Sequence, residues 1–305
     1  MRVAGLLFGA ALVCAAADPG LLRFAPADSR FFSGIQVAQS LRTPFGQYVV
    51  SQMEPDDEDL RKLVSEAGID IRRDVESILI GTAGDSENSK SLIVARGQFH
   101  PEQFNAAASA RGASVAAWHG IQVATLKGAK GVGAVAFVDS GVALVGDAET
   151  VQAAIDRSGA SPNLSPELQA RMRELSATYD AWFLSNGPPG DFFAGKLTDE
   201  NLGDAVHSNL LAAVLEASGG LKFEPDGVRF AGTAVARSAK DASALRDVVK
   251  FVAGLVQVDK ASKTTLAQSL EATAEGNVVR LSLSMPEAVV EQLFLKAQAG
   301  KADTR

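Results

Sequence analysis

The chemically suggestive residues of this chain are a glycine-bounded loop before a lysine, three histidines and a run of carboxylates. The loop, Gly190–Lys196 (GDFFAGK), has the spacing of a phosphate-binding loop. Leu197 stands where such a loop needs Ser or Thr to hold Mg²⁺, and Phe192 and Phe193 occupy the stretch whose backbone should wrap the phosphate. We therefore expect a loop pinned by buried phenylalanines, with no bound nucleotide.

The three histidines, His100, His119 and His207, do not suggest a metal site. No two of them have the spacing of a metal-ligand pair, and no H-E-x-x-H motif occurs. We expect His100 to cap a helix, His119 to lie in a turn and His207 to lie at the surface. The markers of serine acyl chemistry, G-x-S-x-G and S-x-x-K, are also missing. The sequence therefore predicts no catalytic, cofactor-binding or metal-binding residue.

Two charged segments have a structural interpretation and a binding alternative. The acidic run Glu54–Asp59 (EPDDED) suits the positive end of a helix predicted over Asp57–Ala67. The alternative is weak calcium binding, although the run lacks the spaced ligands and turn glycine of a calcium loop. For Arg72-Arg73-Asp74 we expect a local Arg–Asp contact in a turn, and the alternative is an anion site.

Aromatic residues are the remaining candidates for ligand contact. Four of them define a candidate ligand groove: Trp118, Trp182, Phe192 and Phe193. Core packing is the default interpretation of such side chains, because large aromatic residues contribute most when they are buried.

The elements that must position these residues are hairpins that alternate with helices. Apolar, β-branched runs flank short turn signals at five places. The predicted strand pairs are Ile78–Thr82 with Leu92–Ala95, Val115–Trp118 with Ile121–Leu126, Val132–Val138 with Val142–Val145, Leu221–Glu224 with Val228–Arg237, and Leu270–Ala274 with Val278–Met285. A further strand is predicted at Tyr179–Ser185.

Amphipathic periodicity predicts helices between the hairpins. These are Pro101 to Gly112, Ala148–Arg157 capped by Asp147, Pro166–Ala177, Asp241–Val256 and Pro286–Gln298. A long helix is also predicted from Thr198, with an apolar stripe that continues through Val214 and Ala217 until Gly219-Gly220 ends it.

The order of elements suggests two related lobes and an α+β fold class. Each lobe is predicted as a mostly antiparallel sheet with helices packed on one face. The predicted organisation is a signal peptide over 1–17, a lobe over 18–160, a connecting helix and strand over 161–196, a second lobe over 197–299 and a flexible tail over 300–305.

The N-terminus predicts export. A positive start, Met1-Arg2, precedes the apolar run Val3–Val13, and small residues follow at Ala15 to Ala17. We expect cleavage between Ala17 and Asp18, which places the protein in the periplasm or outside the cell. The alternative is lipidation of Cys14, the only cysteine, which would make the protein a peripheral membrane protein.

Composition indicates a globular protein and argues against nucleic acid as a partner. Hydrophobic residues make up 47% of the 305 residues, which is enough for a substantial core. The formal charge of −7 argues against nucleic acid as a partner, because an acidic surface repels phosphate backbones.

Several short motifs resemble an uncharacterised group of secreted bacterial proteins of the acidobacterial type. They are Pro26-Ala27-Asp28, Gly68–Val75, Ala95-Arg96-Gly97 with Phe99, Trp118-His119-Gly120, Val145-Gly146-Asp147 and Asp180-Ala181-Trp182. The resemblance implies an exported bacterial protein, and it brings no activity with it because the motifs are turns and caps.

The sequence thus favours a non-catalytic binding or interaction protein of the cell envelope, with no cofactor. One alternative is a periplasmic carrier of an apolar small molecule, with a cavity near Trp182. The other alternative is a hydrolase whose carboxylates converge only in space.

Overall fold

The structure is a computed structural model that describes residues 19–53, 58–84, 89–128, 131–189, 212–255, 269–286 and 288–289. Several sequence predictions lie outside these residues. They are the signal peptide with Cys14, most of the acidic run 54–59, the loop 190–196 with Phe192 and Phe193, His207, nearly all of the last helix, and the tail 300–305.

Twelve antiparallel strands form one continuous sheet. In chain order they are β1 (Ser29–Ile35), β2 (Val75–Ala83), β3 (Lys90–Gly97), β4 (Ser114–Trp118), β5 (Ile121–Gly128), β6 (Gly131–Asp139), β7 (Val142–Asp147), β8 (Ala181–Ser185), β9 (Val214–Glu224), β10 (Gly227–Ala236), β11 (Glu271–Glu275) and β12 (Val278–Pro286). Across the sheet the order is β11-β12-β10-β9-β8-β1-β2-β3-β7-β6-β5-β4. The predicted α+β class is confirmed, and all five predicted hairpins are present.

Helices connect the strands and cover the sheet. In chain order they are α1 (Pro19–Leu22), α2 (Val37–Ser40), α3 (Pro44–Ser51), α4 (Glu58–Glu66), α5 (Ile71–Asp74), α6 (Pro101–Ala110), α7 (Ala148–Asp156), α8 (Pro166–Thr178) and α9 (Ala239–Leu255). The predicted cap is confirmed at α7, where the Asp147 carboxylate accepts a hydrogen bond from the Thr150 backbone N–H at 2.9 Å.

One predicted helix is wrong over its described part. The helix expected from Thr198 was to continue to Gly219-Gly220, but from Val214 onward the chain is strand β9. The two glycines do not end a helix, because they lie inside β9 at places where other groups come close. A Cβ at Gly219 would collide with the Ala231 carbonyl, and one at Gly220 would collide with the Tyr179 ring.

The half of the sheet that contains β1 to β7 has a hydrophobic cluster on each face. Successive strand residues alternate between the faces, so Phe32 and Leu144 lie on one face and Ile35 and Phe137 on the other. Helices α7 and α8 pack on the first face. Helices α2, α4 and α6 pack on the second. Helices therefore cover both faces here, whereas the sequence predicted one covered face.

The half that contains β9 to β12 is covered differently. Ala242 and Leu245 of α9 pack against Ala234 and Val279 on one face. Of the described helices only α8 borders the opposite face, where it lies beside β8 and β9. The two predicted lobes thus share one sheet, with β8 between β1 and β9.

Candidate functional site

One face of β9 to β12 and the side of α8 enclose an open groove of about 640 Å³. We call it the α8 groove. Its floor is formed by β9, β10, β12 and β11, and its wall by α8 and the residue that follows it, Tyr179. The volume falls in the range of small-molecule and peptide sites.

Short side chains form the floor of the α8 groove. Strand register places Ser218, Thr233 and Arg280 beside one another on this face, and Ala231 next to Ser282. Apart from the arginine these four side chains are small, and three of them carry a hydroxyl, so the floor combines space with hydrogen-bonding groups. Gly219 and Gly232 contribute backbone atoms to the lining.

The wall of the groove is one face of α8. Arg171, Glu174, Leu175 and Thr178 have the i, i+3, i+4, i+7 spacing that puts side chains on one side of a helix. Another side of the same helix contributes Leu168 and Met172 to the core. The core thus fixes the helix that presents the wall.

Charges of both signs border the groove. The Arg171 guanidinium donates a hydrogen bond to the Glu216 carboxylate at 2.9 Å, and Arg280 donates one to Glu275 at 2.8 Å. All four side chains are at least two-fifths exposed, so these pairs add little to stability. Each guanidinium has five N–H donors, which leaves donors directed to a ligand while the pair fixes its orientation.

A buried carboxylate fixes the corner between α8 and the floor. Asp180, 2% exposed, lies between α8 and β8. It accepts a hydrogen bond from the Phe223 backbone N–H at 2.7 Å and one from the Lys222 ammonium at 3.1 Å. The bonds join β8 to β9 next to Tyr179, whose ring lies against Gly220. Tyr179 is therefore held at the edge of the groove.

The structure does not bring the two tryptophans of the predicted ligand groove together. Trp182 is buried in the core, and its ring lies so close to Gly34 that no Cβ would fit there. Trp118 is 37% exposed on β4, seven strand positions from β8. Its indole N–H donates to Asp156 at 2.8 Å. Phe192 and Phe193 lie outside the described residues.

Of the two described histidines, His119 has the role that the sequence predicted and His100 does not, and the basic turn makes its predicted contact; His207 lies outside the described residues. His119 is in the β4–β5 turn with a positive φ of 48°, and its Nε2 lies 3.3 Å from Asp156. His100 precedes α6, but its side chain makes no capping hydrogen bond. Arg73 contacts Asp74 as expected, and this hydrogen bond, aided by the Asp70 backbone N–H, lowers the pKa of Asp74.

Two further features are absent from the described residues, a metal-binding cluster and a membrane-spanning helix. No group of three or more His, Cys, Asp or Glu side chains among them is arranged to hold a metal ion. No helix within the described ranges is long and apolar enough to cross a membrane.

One sequence pattern marks the groove face of β12. Leu281-Ser282-Leu283-Ser284 alternates strictly between apolar and polar residues, which is typical of a strand with one solvated face. The groove itself was not predictable, because its wall is formed by α8, which ends more than one hundred residues before Leu281.

No family model and no curated protein sequence matches this chain. Three solved structures of the Treponema protein TP0453 are similar to it. Crystal form III has a TM-score of 0.58 at 13% identity, over 88% of this chain and 95% of that chain. Form I has 0.53 at 11%, over 89% and 93%, and form IV has 0.51 at 12%, over 88% and 92%. At such low identity, the similarity shows that this chain shares the fold of TP0453.

Proposed function

We propose that this chain is an exported, non-catalytic binding protein of the bacterial envelope that holds a polar peptide segment in the α8 groove. The observation that carries the proposal is the floor of Ser218, Thr233 and Ser282 bordered by Arg171 and Arg280. Among the described helices only α8 borders this sheet face, and its side chains are suited to hydrogen bonding.

The lining favours a peptide over other polar ligands. Hydroxyls, guanidinium groups and the carboxylates of Glu174 and Glu271 match the mixed donors, acceptors and charges of a peptide. Sugar sites rely on aromatic faces, and Tyr179 is the single aromatic residue among those that line the described groove. A strongly anionic ligand would meet both glutamates.

Export is part of the proposal and is supported by the N-terminal residues alone. Their pattern of charge, apolar run and small residues is that of a signal peptide. The denatured mass of protein expressed with its own N-terminus in a bacterial host tests it. A chain that begins at Asp18 supports ordinary export, and one that begins at an acylated Cys14 supports a lipid anchor. Retention of Met1 to Ala17 contradicts export.

The peptide proposal is tested with a displayed library of random hexapeptides. Selected sequences are synthesised, and their dissociation constants are measured by calorimetry. Ser282→Trp fills the groove, and Ser284→Trp is its matched control, because Ser284 lies on the same face of β12 two residues outside the lining. We expect Ser282→Trp to weaken binding at least about tenfold, through loss of contacts and steric exclusion, and Ser284→Trp to leave it unchanged.

Three outcomes would replace the peptide proposal. Equal effects of the two tryptophans would show that the peptide binds elsewhere. Tight binding of dodecanoate, used as an apolar probe, together with no selected peptide would favour the apolar carrier. Cleavage of a selected peptide, abolished by Glu174→Gln or Glu271→Gln, would favour the hydrolase, because both carboxylates line the groove.

A further inference from the structure

The α8 groove has more carboxylates than cationic groups. Four charged side chains are among its described lining residues: Arg171, Glu174, Glu271 and Arg280. Each arginine is already paired at the rim, Arg171 with Glu216 and Arg280 with Glu275. With these two rim carboxylates counted, four carboxylates and two guanidinium groups line or border the described groove, so the groove is acidic.

The two lining glutamates are accessible to a ligand. Glu174 and Glu271 are both exposed, and neither side chain makes a hydrogen bond or an ion pair with another described residue. The positive charge of each lining arginine is, by contrast, compensated by its rim carboxylate. The remaining guanidinium N–H groups are suited to uncharged acceptors such as peptide carbonyls. A ligand in the groove therefore meets uncompensated negative charge from the described side chains.

The two glutamates belong to opposite sides of the groove. Glu174 is on α8, which borders β9, and Glu271 is on β11, the floor strand furthest from α8. Strand register forms one row across the floor: Glu271, Ser282, Ala231 and Gly220. Three strand spacings, about 14 Å in all, therefore separate β11 from β9. An extended peptide covers that distance in about four residues, and its side chains at i and i+4 point to the same side.

We propose that the peptide held in the α8 groove is basic, with lysine or arginine at two positions four residues apart. One of these side chains pairs with Glu174 and the other with Glu271, while Arg171 and Arg280 donate hydrogen bonds to the peptide carbonyls. The formal charge of −7 on the chain favours the approach of such a peptide. The inference rests on the proposed function, because it names the kind of peptide that the same groove selects.

Four hexapeptides with blocked termini test the charge preference by calorimetry on the native chain. Their sequences are KSAAKS, QSAAQS, ESAAES and KKSAAS. We expect KSAAKS to bind about tenfold more tightly than QSAAQS, because it makes two additional ion pairs, and ESAAES to show no binding. KKSAAS should bind about threefold more weakly than KSAAKS. Adjacent side chains of an extended peptide point to opposite sides, so only one of its lysines can pair with a lining glutamate.

Charge-removing substitutions assign the preference to the two glutamates. Glu174→Gln and Glu271→Gln should each weaken the binding of KSAAKS about threefold, and the double variant about tenfold, because contributions of separate sites add. The affinity for QSAAQS should stay unchanged in all three variants. Glu167→Gln is the matched control, because Glu167 is on the same helix but outside the groove lining, and it should leave the binding of KSAAKS unchanged. Circular dichroism of each variant verifies its fold.

The outcomes separate this inference from the proposed function. If KSAAKS binds no more tightly than QSAAQS, or equally well to the folded double variant, the basic ligand is refuted. The groove then remains a peptide site as long as Ser282→Trp weakens the binding of library-selected peptides. If Ser282→Trp weakens the binding of no peptide, both proposals fail. Spermidine that binds as tightly as KSAAKS would show that the groove selects cationic groups without a peptide backbone, which also refutes both.

Discussion

The two halves of the sheet have the same strand geometry but differ in the packing of helices on their faces. From β1 to β7, large apolar residues alternate onto both faces, and helices cover each face. From β9 to β12, one face packs against α9 while the other presents serine, threonine, alanine and glycine. The first half buries both faces of its strands, whereas the second half has one face that, among the described helices, only α8 borders.

Helix α8 connects the two halves and belongs to both. Leu168 and Met172 anchor it in the large core, while Arg171 and Glu174 line the α8 groove. A binding surface is precise when a rigid element presents it, and here the rigidity comes from the first half. Substitutions that separate core packing from surface contacts therefore break or sharpen this comparison.

The largest effect is expected at the two tryptophans. Trp182→Ala should lower the free energy of unfolding by about 3–5 kcal/mol, because it opens a cavity beside Gly34 in the packed core. Trp118→Ala removes the same atoms from an exposed edge and should cost less than about 1 kcal/mol. Urea denaturation followed by circular dichroism measures both. Equal losses would contradict the contrast between core and edge.

A smaller effect is expected at the corner that joins the halves. Asp180→Ala should cost about 2 kcal/mol, because the Phe223 N–H loses a buried charged acceptor and Lys222 loses its partner. Glu216→Ala breaks the exposed pair with Arg171 and should cost less than about 0.5 kcal/mol. The same denaturation experiment compares them. A Glu216→Ala variant as unstable as Asp180→Ala would show that the groove rim is structural.

The smallest effect is expected at the helix caps, and one of them depends on pH. Asp147→Ala should cost about 1 kcal/mol at pH 7, and so should Ser165→Ala, which removes the cap of α8. Burial raises the pKa of Asp147, but the hydrogen bonds from the Thr150 N–H and hydroxyl outweigh it, so the folded-state pKa is lowered.

The pH dependence at Asp147 follows from that direction. The cap's contribution is fully present above the unfolded-state pKa of about 3.9. It is lost as pH falls through the lower folded-state pKa, because the protonated carboxyl is a weaker acceptor. Urea midpoints from pH 7 to pH 2.5 should therefore converge for the native chain and Asp147→Ala, and stay apart for Ser165→Ala. A constant gap for Asp147→Ala would refute the cap as the source of the shift.

Local patterns predicted most of the fold. Turn signals between apolar runs predicted the five hairpins, and the capping carboxylate of Asp147 predicted the start of α7. The stretch from Val214 was predicted wrongly, because its apolar spacing fits a helix locally. The pairing of Gly219 and Gly220 with β10 and the contact of Gly220 with Tyr179 favour a strand, and both are non-local.

The candidate site was less predictable than the fold. The sequence pointed to aromatic residues, and of these the structure places Trp182 in the core and Trp118 at an edge. The α8 groove instead rests on short side chains such as Ser218 and Ser282, which carry no motif. The alternation of Leu281 to Ser284 indicates a solvated face, but it does not indicate which helix borders that face.

Methyl NMR on the native chain tests the central proposal most directly. With alanine, threonine and leucine methyl groups labelled, a selected hexapeptide is titrated into the protein. The account predicts shifts at Ala231 and Thr233, whose side chains lie on the groove face, and none at Ala116 or Ala117 of β4. Shifts confined to β4, or shifts spread through the core with none at Ala231 or Thr233, would contradict the α8 groove as the binding site.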